Sequence, residues 1–545
     1  MRHVVSVSAV SLSAVLWSGM AHAQNISVET LGSAQNYQTG LLSQSNGGLD
    51  SALWQGTSAA RASLLLLDVA GAITHPLTAD LIRAAVLSEG VPPASQDRDI
   101  FTNYERHRLE VIMRLVDQNA LSRFIDSNPD LERTPETRVN IALIEGNYET
   151  PCQISDTISQ GRADPYWVRL RAFCHAIRDQ IPATELTLNL LKNSGFEDPT
   201  YFALMERYIG VSSQKIENIA SDDPLINALV HLTDLDVGQN SELTGGHYAA
   251  QALNADLPRE QRLEAMFAAG YHLTDENIDQ ILKGLAYDPD HEELSLTSDF
   301  EAILGADAPL SLGRLHNLIK GAPGSDEAGQ ALSVFLERSQ KMGGMARFIN
   351  YFTNDIRLTP AQTRLQYGSD VFTQAAIQNK DLLTLREFYQ DSADDPELRA
   401  RLALISDALG NGFILGELGA DIDGRLEAGG SPRAIRDMWV ALAMGANLSD
   451  QALSVLQNLE GDRQTTQGRK PAQGLDGLII AMELAAERGS RAELALLAAS
   501  ALGNAGAAGL DDLSLYRIIK ALYQGGLSDY AGRLAAEDFA RFLDK

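Results

Sequence analysis

Cysteine is nearly absent: the chain has two, Cys152 and Cys174, in 545 residues. There is no CxxC pair, and the ten histidines fall singly along the chain, without an HExxH or H-x-H pattern that would hold zinc. A G-x-S-x-G elbow, a P-loop and a strand-linked G-x-G-x-x-G are missing as well, so nothing marks an acyl-transfer, nucleotide-hydrolysing or dinucleotide site. No cofactor is implied. Past the first two dozen residues no run reaches the ~20 apolar residues that a membrane span needs. Positive charge is also short. Against 72 Asp and Glu stand 44 Lys and Arg, a net charge of −28. Such a surface repels phosphate backbones, which excludes nucleic acid as a partner.

The chain opens on MRHVVSVSAVSLSAVLWSGMAHAQ, a basic head, an apolar and small-residue run, and Ala21-His22-Ala23 as an A-x-A cleavage pattern. Residues 1–23 therefore read as a secretory signal, and the protein as exported to a periplasm and not membrane-spanning. Two cysteines in such a compartment invite a disulfide. Cys152 and Cys174 flank the turn signal Gly161-Arg162-Ala163-Asp164-Pro165, and two antiparallel helices joined there would bring the sulfurs together. Two buried free thiols are the alternative.

Hydrophobic residues make up 45% of the chain, with abundant Ala and Leu, which favours helix. Residues 24–46 are polar and read as a flexible, extended arm. Leu49, Leu53 and Trp54 then make a one-turn anchor for a helix expected over 57–72. Thr134-Pro135, Thr359-Pro360 and Ser431-Pro432 place a hydroxyl at N-cap and proline at N1. Three junctions (Gly270 to Thr274, Gly445 to Ser449, Gly526 to Ser528) end one helix on glycine and restart the next on a hydroxyl. Tyr166, Leu170, Phe173/Cys174 and Ile177 keep helical spacing, as do Leu515, Ile518, Ile519 and Leu522.

The expected fold is all-α: an irregular, TPR-like α-solenoid of stacked helical hairpins over 47–460, a polar linker at 461–474 and a C-terminal helical cap at 475–545. A weaker break falls near 237–246.

Acidity is uneven. Residues 211–310 hold four Lys and Arg against nineteen Asp and Glu. Asp275, Asp279, Asp288, Asp290, Glu292 and Glu293 form its densest part, either a solvated surface or a docking surface for a basic partner. The Asp288–Glu293 cluster is also open to weak Ca²⁺ binding. Asp421-Ile422-Asp423-Gly424 echoes a calcium loop, but Gly419 and Gly430 would occupy its first and twelfth positions, so it fails as an EF-hand.

Three phrases, GGLDSALWQGT at 47–57, PCQIS…DPYWVRLRAFC at 151–174 and LYRIIKALYQGGLSDYAGRLAAE at 515–537, resemble a little-characterised group of exported helical-repeat proteins of alphaproteobacteria. The resemblance implies an exported α-solenoid with a Cys152–Cys174 bond and no catalytic residues. The function expected is that of a non-enzymatic periplasmic scaffold or assembly factor binding another envelope protein. The alternative is a protein that binds, or binds and cleaves, peptidoglycan or polysaccharide, with Trp54, Trp167 and Trp439 stacking on sugars.

Overall fold

The computed structural model describes residues 38–69, 75–128, 134–144, 146–212, 216, 219, 223–233, 245–296, 299–410, 424, 431–450, 452–454 and 475–541. The proposed signal, the first part of the arm, Asp421, Asp423 and the 461–474 linker lie outside these residues. The described chain is all-helical, and its only extended pairings are three isolated bridges.

The first helices are α1 (Ala59–Asp68), α2 (Pro76–Leu87), α3 (Arg98–Leu115) and α4 (Gln118–Asp126). Next come α5 (Pro135–Ile144), α6 (Glu149–Thr157), α7 (Pro165–Ile177), α8 (Ile181–Asn193), α9 (Pro199–Tyr208) and α10 (Pro224–Leu232). The middle of the chain holds α11 (Gly245–Leu253), α12 (Arg259–Ala269), α13 (Asp275–Leu285), α14 (Glu292–Leu296), α15 (Phe300–Gly305) and α16 (Ala308–Gly321). It continues with α17 (Asp326–Lys341), α18 (Met345–Tyr351), α19 (Thr353–Leu358), α20 (Ala361–Asn379), α21 (Leu382–Asp391) and α22 (Pro396–Leu409). The last are α23 (Pro432–Ala443), α24 (Leu475–Arg488), α25 (Arg491–Leu502), α26 (Asp512–Gln524) and α27 (Ser528–Ala540).

Caps explain many of these boundaries. Thr274 accepts from the Asn277 N–H while the Asn277 side chain returns to the Thr274 N–H, a capping box that starts α13 after Gly270 turns the chain at φ 54°. Ser431 caps α23 in the expected way. Thr359 does not cap α20; its hydroxyl donates to the Asp355 carbonyl at 2.9 Å, and Pro360 itself is the residue before the helix. Four Asp-Pro pairs do the same work at α7, α9, α10 and α22, where Asp164, Asp198, Asp223 and Asp395 accept from the next turn's N–H groups.

The helix expected over 57–72 is the shorter α1, capped by Ser58; Leu65 and Leu66 are buried and Leu64 and Leu67 face out. The Leu49, Leu53 and Trp54 anchor is buried, with Trp54 edge-on to Tyr104 at 5.7 Å. The arm is tied down from Gln38 onward. Gln38 exchanges backbone hydrogen bonds with Gly90 at 2.7 and 3.0 Å, its amide donates to the Ser88 carbonyl, and Leu42 pairs with Leu87 and Glu89. Polar composition suggested a free segment here, but backbone groups that have partners do not remain free.

Two hydrophobic cores result. The smaller spans Val139 to Val230 and includes Cys152, Trp167, Phe173, Cys174 and Tyr201. The larger runs from Leu49 through Ala540 and joins early and late helices of the described residues. Helix α25, buried on nearly every side, belongs to this core and packs on α2. Leu53 accepts the Ala492 N–H at 2.8 Å, Thr57 donates to Glu493 at 2.6 Å, and Thr78 donates to the Gly503 carbonyl at 2.8 Å. Farther along, α22 packs on α27. Asp437 and Asp538, both fully buried, meet Arg401, Arg433 and Arg436 there. The helices of 475–541 therefore share a core with residues 49–125. Helix α5 spans the two cores: Ile141 belongs to the larger, Val139 and Leu143 to the smaller.

Candidate functional site

The smaller body is organised by the disulfide. Cys152 on α6 and Cys174 on α7 are bonded with a Cα–Cα distance of 5.3 Å, and both are buried. Gly161 turns the chain between the two helices at φ 67°, and Asp164 with Pro165 restarts it. This pins the first turn of α7, which carries Tyr166 and Trp167. Their rings meet edge to face at 4.9 Å, and the Tyr166 hydroxyl donates to Asn140 of α5 at 2.9 Å. Beside them Arg169 is ion-paired with Asp223, the cap of α10, and lies over the Tyr201 ring at 4.9 Å. Burial raises the pKa of the Tyr166 and Tyr201 hydroxyls, which stay protonated as donors.

Where this pinned face meets the larger body, a groove of about 710 Å³ opens. One wall is α3, with Glu105, Arg106, Leu109, Glu110, Met113 and Arg114; the other is α5 together with the first turns of α7 and α10. Five carboxylates line it (Glu105, Glu110, Glu136, Asp164, Asp223) with two guanidiniums, Arg106 and Arg114, and Asp223 is already paired with Arg169. His272 adds no charge at neutral pH, because burial pushes its imidazole down to about 4. The groove is thus acidic with an apolar strip. It can hold a cationic chain by charge and an aliphatic one by contact.

No protein-family model, curated protein or solved structure matches the chain.

The six acids singled out in the sequence lie elsewhere and do not act together. Asp275 pairs with Arg347 at 2.7 Å and Asp279 with Lys283 at 2.7 Å, and buried His316 lies 3.5 Å from Asp279. Asp288 is buried, ion-paired with Arg259 and hydrogen-bonded to His291 at 2.8 Å, which holds its carboxyl below the usual range. Asp290, Glu292 and Glu293 are exposed. As a docking surface the set is therefore half spent on this chain's own cations, and Asp288 is committed before any Ca²⁺ arrives. Among the described residues no three His, Cys, Asp or Glu come together to hold a metal.

Of the three sugar-stacking candidates two are buried, and Trp439 is partly exposed. Trp54 and Trp167 are each 3% exposed, and Trp439 packs edge-on to Tyr516 at 5.4 Å. The groove itself was partly legible in the sequence. Asp164 and Asp223 announce themselves as Asp-Pro helix starts. Glu105, Glu110 and Glu136 carry no local signal, since only packing of α3 beside α5 brings them together. No described helix is long and apolar enough to cross a membrane.

Proposed function

We infer that the protein is a non-enzymatic helical-repeat scaffold or assembly factor of the periplasm, and that it binds another envelope protein. The partner docks a Lys- or Arg-bearing segment in the groove between α3, α5, α7 and α10. One observation carries this reading: with Asp223 paired to Arg169, four further carboxylates and two guanidiniums line an opening of about 710 Å³. That volume falls within the ~300–1,000 Å³ of ordinary ligand sites. Complementary charge of this kind sets partner choice and encounter rate more than raw affinity.

Other features support the same reading. Helices α16, α17, α20, α21 and α22 pack in chain order, which suits a repeat array over 308–409. The signal-like first 23 residues and the disulfide suit an oxidising exported compartment. The likeness of segments 47–57, 151–174 and 515–537 to exported helical-repeat proteins agrees with both.

The test places a photo-crosslinking amino acid at Glu136 in the groove, and at exposed Glu327 on α17 as control, in cells carrying the full chain. One envelope protein should crosslink from 136 and not from 327, with a yield that falls as salt rises. Equal crosslinking from the two positions, or none from 136, would remove the groove as the docking site.

A further inference from the structure

A second cleft, of about 330 Å³, lies where α2, α17, α18, α20 and α27 converge, so that three distant parts of the chain line it. Its floor is aliphatic: Leu77, Met345, Ile349 and Ile377 are 2–8% exposed. Its rim is polar and carries both charges. Glu537 and Arg541 both line the cleft, four positions apart at the end of α27, about 6 Å along the axis at 1.5 Å per residue.

Glu537 is set in place from behind. Its Oε1 accepts from the Ala507 N–H at 3.1 Å and meets His75 Nε2 at 3.1 Å. The other nitrogen of His75, Nδ1, accepts from the Thr78 N–H at 3.4 Å as the cap of α2, so the proton sits on Nε2 and is donated to Glu537. Gly506 makes this approach possible. With φ 55°, a Cβ there would stand 2.2 Å from His75 Nε2 and 2.4 Å from Glu537 Oε1. The Gln378 amide nitrogen is spent on the Ala346 carbonyl at 2.7 Å and Asn350 at 2.8 Å, which leaves its carbonyl oxygen as the acceptor. Arg533, the other guanidinium on the lining, is held by Asp80 at 2.8 Å, whereas Arg541 touches buried Asp538 only at 3.6 Å and its side chain is 39% exposed.

The geometry points to a binding site for a short zwitterionic peptide with aliphatic side chains, a dipeptide in size. Its α-ammonium meets Glu537, its carboxylate meets Arg541, its peptide N–H meets the Gln378 carbonyl, and its side chains lie on Leu77, Ile349 and Ile377. Two extended residues span about 7 Å, close to the one-turn rise between the backbone positions of Glu537 and Arg541. Because the site joins α2, the α17–α20 stretch and α27, an occupant also ties them together, and binding to the folded state alone raises its stability.

The experiment uses the purified full-length mature chain with leucyl-leucine as probe, followed by calorimetric titration and by thermal unfolding. Saturable binding with a rise in Tm is expected, with at least tenfold weaker binding of N-acetyl-leucyl-leucine amide, which lacks both charges. Arg541→Ala, at an exposed position, should keep the unliganded Tm and lose at least tenfold in affinity. Glu537→Gln should weaken binding by a similar factor. No heat and no rise in Tm with the unmodified chain would overturn the proposal. So would equal binding of the capped peptide, or unchanged affinity in Arg541→Ala.

Discussion

Single side chains decide several local outcomes. Gly506 and Gly445 both have positive φ, 55° and 86°, but only Gly506 has neighbours within reach of a Cβ. Gly445→Ala meets only the left-handed backbone cost, ~1–2 kcal/mol. Gly506→Ala adds a clash with His75 and Glu537 and should lose roughly twice as much, read from urea midpoints.

Two histidines act on stability through pH. Burial pushes both His272 and His316 down to about 4, against 6.5 for an ordinary imidazole. The unfolded chain therefore binds more protons between those values, and stability rises with pH across that window. The contribution is complete above pH ~6.5 and is lost as pH falls toward ~4, on the order of 3 kcal/mol for each residue. Urea midpoints at pH 7.5 and 4.5 should differ accordingly, and His316→Gln should flatten the slope. An unchanged slope would assign the acid sensitivity to other groups.

At the scale of elements, the α6–α7 hairpin is the clearest case of sequence and packing agreeing. Gly161 supplies the turn, Asp164 and Pro165 restart the helix, and Cys152 and Cys174 close a loop of sequence separation 22. Loop entropy of that size corresponds to about 3 kcal/mol. Replacing both cysteines with alanine should therefore lower the stability of the 139–230 body by that order and loosen the groove wall at Tyr166. Amide exchange is the measurement, with protection lost in α6 and α7 and kept in α25. Equal loss in both would mean that the two cores open as one unit. Helix α25 shows the opposite relation: its periodicity is blank because it is buried all round, and only its neighbours tell where it sits.

On the scale of the described molecule, the contact of residues 49–87 with residues 475–541 is the dominant fact. Thr57 bonds to Ser490 across 433 positions and His75 to Glu537 across 462. Stacked repeats that touch only their neighbours would tolerate loss of the last ones. Here, a chain ending at residue 474 would strip α25 from α2 and α27 from α22, exposing much of the larger core. Such a truncation should be recovered aggregated or protease-sensitive throughout the remainder of that core. A soluble truncation with unchanged Tm would show that the seam adds nothing.

The sequence alone determined what depends on a few adjacent residues. Helical class follows from composition and period, many helix starts from Ser, Thr or Asp with proline, and the cysteine hairpin from its turn. These interactions act within about four residues, so local order suffices to read them. Tertiary structure decided the rest: which acids are paired, that Gln38 to Asn46 are held, that α5 serves two cores, and that the first and last helices share one. Glu105, Glu136 and Asp223 make a single acidic groove, and Glu537 receives His75, only because packing sets distant segments side by side. The free energy of such contacts comes from burying apolar surface, which has no direction along the chain and so leaves no fixed spacing in it.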